Sequence, residues 1–360
     1  MMNPEQGFED PLHHPKGPGA PEVGARASGG SDTADVPATL VVPGIHMTDE
    51  DTLADFGVRA DRRITSIVPT DATYRASYVG NVFARTTNRM RLCTIRTEDP
   101  NDPPGEDWDR PLLRANGSFD STRFTNLFAD FWDVCAQYAD VIIGGNEVGL
   151  LTGPGYVSPD YYQQWVKQTM LMHDMVADRN RTIGLGFCSL PNFGSFHKQM
   201  WPENTMQLAI VTRNIVALTR YAATIFPLRQ YVLCLHLGFS GDIDAALAAL
   251  VAVLDGTNIA AVFPEFRYPV DDPTFDASAV DYFWSRIQAT TWRDASGVQR
   301  GISAACYAPA EISPSASDAY NKKSLLDSTH ARTVYGHWYA GVNDEFNSLY
   351  NGPDRPPLIR

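Results

Sequence analysis

The sequence has no C-x-x-C pair, no run of lysine or arginine, and no run of about 20 apolar residues. Its five cysteines, Cys93, Cys135, Cys188, Cys234 and Cys306, lie far apart. A zinc ribbon and a thioredoxin-like redox motif therefore have no support. An odd count with apolar neighbours, as in Tyr231-Val232-Leu233-Cys234-Leu235, reads as buried free thiols and suggests a reducing compartment. Nothing in the chain reads as a bilayer span, and no basic stretch followed by an apolar core marks a secretory signal. The expected location is cytoplasmic.

Positive charge is also scarce. Lys and Arg number 29 against 42 Asp and Glu, for a formal charge of −13 over 360 residues. Nucleic-acid and anionic-membrane binders need a basic face to replace counterions, so neither partner class is expected. At 44% hydrophobic and 20% charged residues the composition is that of a globular protein.

Residues 1–36 differ from the rest: five Pro and six Gly fall there, few large apolar residues do, and no helical or strand period is present. Such a segment cannot bury enough surface to offset its ordering entropy. It is expected to be a disordered tail serving as a linker, a tether or a protein-partner-binding arm. Residues 37–360 form the folded part.

In that part a unit of apolar run, polar turn and amphipathic helix repeats eight times. The strand candidates are 39–46, 64–69, 90–97, 141–147, 182–188, 231–237, 259–265 and 302–307. They are apolar at successive positions, as in parallel strands covered on both faces. Residues 120–138 carry Phe124, Leu127, Phe128, Phe131, Trp132 and Cys135 at helical spacing. Residues 159–177 follow the N-cap candidate Ser158, and residues 242–254 stop at Gly256.

Eight strand–helix units predict a closed α/β (β/α)₈ barrel, the TIM barrel. No G-x-G-x-x-G fingerprint follows the first strand, which argues against an open dinucleotide-binding sheet. Surplus chain follows the third, fifth and seventh strands, at the end of the barrel where active sites are built.

Polar groups gather after those apolar runs: His46, Arg96, Asn146-Glu147, Cys188, His236, Glu265 and Tyr307. Glu147 and Glu265 are the candidate catalytic pair. In a barrel, strands four and seven face one another across part of the pore, and a retaining glycosidase needs two carboxyl groups about 5–5.5 Å apart. Trp108, Trp201 and Tyr268, with Phe193 and Phe239, lie in the long loops, where flat rings can stack on sugars. Trp132, Trp165, Trp284 and Trp292 are expected in helices and in the core. The sequons at Asn116 and Asn180 matter only in a glycosylating compartment.

Asn-Glu after strand four with Glu after strand seven resembles clan A, the retaining glycoside hydrolases built on this barrel. The resemblance implies Glu147 as general acid/base, Glu265 as nucleophile and Asn146 as ligand of the sugar 2-hydroxyl. It implies a carbohydrate substrate, no cofactor and no metal. His236 stands where the clan often has His or Tyr beside the nucleophile.

Clan members usually have an arginine at the end of strand two. Here the expected strand ends Ile67-Val68-Pro69-Thr70, leaving Arg96 as the substitute. Tyr307 stands where the clan often has Trp after strand eight. With His46 and Tyr268, these residues make up the expected substrate-binding set.

Two other readings remain open. His46, Asp99, Glu147, His236 and Glu265 supply donors suited to a metal-dependent sugar isomerase or lyase. A catalytically silent barrel used for carbohydrate binding or assembly is the third.

Overall fold

The computed structural model describes residues 40–46, 48–67, 77, 80–81, 88–97, 111–145, 159–189, 215–237, 243–267, 276–311, 323–350, 356 and 358. The tail at 1–36 and most of the surplus chain after strands three, five and seven lie outside them.

Eight parallel strands close into a barrel. They are β1 (Val42–His46), β2 (Ala60–Ile67), β3 (Met90–Thr97), β4 (Val141–Gly144), β5 (Gly184–Ser189), β6 (Gln230–Leu237), β7 (Ala260–Phe266) and β9 (Gln299–Tyr307). Closure is the parallel pairing of β1 with β9, Val42 opposite Ala304 and Ile45 opposite Tyr307. The short strand β8 (Thr291–Arg293) folds back antiparallel on β9. Trp292 therefore lies in a strand and not in a helix, although it is buried as expected.

Helices lie between the strands: α1 (Glu50–Asp55), α2 (Ser121–Tyr138), α3 (Pro159–Arg179), α4 (Ile215–Ile225), α5 (Ile243–Leu254), α6 (Ala277–Gln288) and α7 (Val334–Leu349). Side-chain caps start several of them. Asp49, Asp120, Asp276 and Thr333 each accept a backbone N–H of the first turn, which satisfies donors that have no helical partner. Among the described residues no helix is long and apolar enough to cross a membrane.

Period-two alternation sorts the strands into two cores. Val41, Ile45, Cys93, Ile95, Leu185, Phe187, Leu233, Leu235 and Phe263 face outward and pack under the helices with Phe124, Phe131, Trp132 and Trp165. Truncating one of these large aromatics to Ala costs about 3–5 kcal/mol. Val42, Ala60, Met90, Leu92, Val141, Ile143, Val232, Cys234, Val262, Ala304 and Cys306 fill the barrel interior. All five cysteines are buried free thiols.

Strand β2 begins four residues before the position expected from the sequence. Asp61-Arg62-Arg63 is charged and reads locally as a turn, yet all three residues pair in the sheet. Tertiary partners account for it. On the outer face Arg63 Nε donates to Asp61 Oδ2 at 2.9 Å and Arg63 Nη2 to Glu50 Oε1 at 3.1 Å. Arg89 Nη1 reaches the other Glu50 oxygen at 2.9 Å.

Asp61 is fully buried. Burial pushes its carboxyl up to about 6, against the pull of Arg63. Since the folded value lies above the ordinary 3.8, the group's contribution to stability is full below that value and is lost as pH rises through about 6. Urea unfolding from pH 4 to 7.5 should therefore show wild type losing about 2–3 kcal/mol relative to Asp61→Asn. Parallel pH profiles for the two proteins would contradict this account of Asp61.

Candidate active site

At the C-terminal end of the barrel the inward positions change from apolar to polar. On β1, Val42 and Gly44 are followed by His46; on β2, Ala60 by Arg62; on β3, Met90 and Leu92 by Thr94 and Arg96. On β5, Gly184 and Gly186 lead to Cys188, and on β6, Val232 and Cys234 lead to His236. Gly186 is required at its position, because a Cβ there would collide with Cys234 Sγ.

Strand β7 reaches the same face by an irregularity. Val262 points inward and Phe263 outward, so plain alternation would turn Pro264 inward and Glu265 out. The register with β6 shifts here: Cys234 pairs with Val262, and His236 with Glu265, so β7 spends one extra residue. This is a β-bulge, placed where proline has no N–H to give to the ladder. It turns Glu265 into the barrel.

Glu265 is 8% exposed. Three nitrogens converge on its Oε2: Arg62 Nη1 at 3.4 Å, His236 Nδ1 at 3.7 Å and His46 Nε2 at 3.8 Å. Among the described residues Oε1 has no hydrogen-bond partner. A carboxylate buried alone would be costly, and the fully buried Arg62 supplies the compensating charge. Arg62 is itself fixed by donating from Nε to Thr94 Oγ1 at 3.1 Å.

The His46 tautomer follows from Arg62. Its Nδ1 lies 3.4 Å from Arg62 Nη1, and a guanidinium can only donate. Nδ1 therefore accepts, and Nε2 carries the proton toward Glu265. Burial, followed by the charge of Arg62, lowers the His46 pKa well below its usual value. The ring is neutral at pH 7, so its contact with Glu265 is a dipolar one.

The sequence-expected residues fall into three groups. Glu265, His236 and His46 come together, and Arg96 lies on the same inward face of β3. Glu147, Asn146, Trp108, Trp201 and Tyr268 lie outside the described residues, after Gly145 at φ +72 in the case of the Asn-Glu pair.

Tyr307 belongs elsewhere. It is fully buried on the outer face of β9, its ring 5.3 Å from Phe266 and 5.2 Å from Tyr339, and its hydroxyl donates to Lys323 O at 2.9 Å. No sugar can stack on it there. The expected site residue is a core residue because β9 alternation puts Cys306, not Tyr307, inside the barrel.

Arg62 is the site residue that the sequence reading missed. It was hidden by the displaced start of β2, and it stands near the start of that strand, in contact with Glu265. The signal that could have found it is the alternation Ala60, Arg62 counted back from the strand. Among the described residues no three His, Cys, Asp or Glu side chains converge to hold a metal ion.

In fold the chain resembles the clan A glycoside hydrolase barrels. Among solved structures, the GH53 catalytic domain from Ignisphaera aggregans superposes with a TM-score of 0.54 at 11% identity, covering 88% of this chain and 98% of that one. The exo-β-1,4-mannosidase Op5Man5 from Opitutaceae bacterium strain TAV5 gives 0.53 at 11% identity. It is matched over 86% of this chain, which spans only 60% of the mannosidase. A psychrophilic family 10 endo-β-1,4-xylanase gives 0.50 at 9% identity, with 84% and 96% covered. No protein-family model and no curated protein sequence matches the chain.

The buried pair has a measurable consequence. Arg62→Met should cost about 3–5 kcal/mol by leaving a buried charge uncompensated. Adding Glu265→Gln should recover a coupling of about 1–3 kcal/mol in urea unfolding. Strict additivity of the two substitutions would mean that Arg62 and Glu265 do not stabilise one another.

Proposed function

We propose that the protein is a retaining glycoside hydrolase, or a transglycosidase, acting on a β-linked sugar, with Glu265 as nucleophile and Glu147 as acid/base. The observation that carries this reading is the asymmetry of the Glu265 carboxylate. Oε2 is surrounded by Arg62, His236 and His46, whereas Oε1 has no partner among the described residues.

In this reading Oε1 attacks the anomeric carbon and the glycosidic C–O bond breaks. Glu147 gives its proton to the departing oxygen. The glycosyl ester on Glu265 is then hydrolysed by a water, or cleaved by a second sugar hydroxyl, that gives its proton to Glu147. The Arg62 hydrogen bond on Oε2, with the two imidazoles 3.7 and 3.8 Å from the same oxygen, orients the carboxylate so that little reorganisation accompanies attack. Asn146 binds the 2-hydroxyl, Arg96 and His46 line the approach, and Trp108, Trp201 and Tyr268 supply stacking faces for the sugar. The mannosidase and xylanase among the structural neighbours guide the choice of substrates, which begins with aryl β-mannosides and β-xylosides.

Glu265→Gln should abolish turnover of aryl β-glycosides in a variant that still folds, its unfolding midpoint lowered because Arg62 loses its counter-charge; wild-type rates in this variant would end the proposal. Glu147→Ala should cost about 10²-fold or more on substrates with poor leaving groups and much less on activated aryl glycosides. A uniform loss across leaving groups would remove Glu147 from the acid role.

A further inference from the structure

His236 is fully buried at the mouth of β6, with a polar group facing each ring nitrogen. Nδ1 lies 3.7 Å from Glu265 Oε2, and Nε2 lies 3.0 Å from Cys188 Sγ. An ionised carboxylate can only accept, so the ring state that it favours carries the proton on Nδ1. Nε2 must then accept a hydrogen bond, and the group at hand is a thiol, which can donate one.

The placement comes from strand register. Cys188 pairs with Cys234 across β5 and β6, and His236 is the next inward residue beyond Cys234, so the thiol stands beside the imidazole. Which nitrogen of a histidine is protonated is set by the bond that the other nitrogen makes.

We infer that Cys188 is a positioning residue for this site. Its S–H donates to His236 Nε2, locks the Nδ1–H tautomer and aims that N–H at Glu265 Oε2. The two histidines then use opposite tautomers for one purpose: Arg62 makes His46 present Nε2–H, and Cys188 makes His236 present Nδ1–H. Both N–H groups face the same oxygen, from 3.7 and 3.8 Å, and Oε1 stays turned to the substrate. The consequence for turnover rests on the nucleophile reading of Glu265, whereas the tautomer assignment does not.

The test is a long-range proton–nitrogen NMR spectrum of full-length protein labelled with ¹⁵N at its histidine rings, recorded at pH 7 for wild type, Cys188→Ala and Cys188→Ser. The His236 signals are identified by their loss in His236→Gln. Wild type and Cys188→Ser should both show His236 as the Nδ1–H tautomer, and Cys188→Ala should move it to the Nε2–H form or to an average of the two. An Nε2–H tautomer or an imidazolium in wild type would overturn the inference without any variant, and so would an unchanged tautomer in a folded Cys188→Ala protein.

On an aryl β-glycoside turned over by wild type, Cys188→Ala should lower kcat by up to about 10²-fold with KM nearly unchanged, and Cys188→Ser should restore it. Absence of turnover in wild type on every glycoside would remove the glycosidase reading, with the role of Cys188 still decided by the spectra.

Discussion

A carboxylate and a guanidinium, both taken out of water and 3.4 Å apart inside a closed barrel, organise the mouth of this protein. Neither charge could be buried alone at an affordable cost, since an unpaired ion in such a medium is penalised by several kcal/mol. The pair constrains its surroundings in turn. Arg62 needs Thr94 to hold its fork in place, and the same guanidinium decides the proton position on His46. Glu265 can point inward only because β7 spends one extra residue at Pro264. Around the pair the barrel supplies small and apolar residues below, with polar ones at the rim.

Chemistry follows from that arrangement through asymmetry. A carboxylate with both oxygens paired is a structural ion, and one with a single clamped oxygen is oriented and still available. Oε2 of Glu265 has three nitrogens near it, whereas Oε1 has no partner among the described residues. The fold is shared with glycoside hydrolases at about a tenth of sequence identity. Fold alone does not carry an activity, so the functional reading rests on this carboxylate and on the Glu147 that the clan resemblance places with it.

The sequence made the architecture legible for a plain reason: most of the barrel strands, buried on both faces, leave runs rich in Val, Ile and Leu, and the helices between them have regular apolar stripes. Met90–Thr97 matches its expected span, and residues 121–138 match theirs apart from the Asp120 cap. Glu265, His236 and His46 were visible because each ends an apolar run. Arg62 was not, because Asp61-Arg62-Arg63 has the local look of a solvated turn, and its charges are compensated by Glu50 and Glu265, which lie far away in the chain. Tyr307 ends a strand just as His46 does, and only the face it occupies separates a core ring from a site ring.

By itself, then, the sequence determined the number and order of the eight barrel strands, the parallel barrel and the end of it where polar groups collect, because these depend on local periodicity and on the burial of apolar runs. Tertiary structure alone decided which polar groups meet. Whether a strand-end residue faces the pore depends on alternation counted from the true start of the strand, and on bulges that reset it. The proton positions on His46 and His236 depend on partners from neighbouring strands. Those are relations between strands, set by register and closure, and no single stretch of chain encodes them.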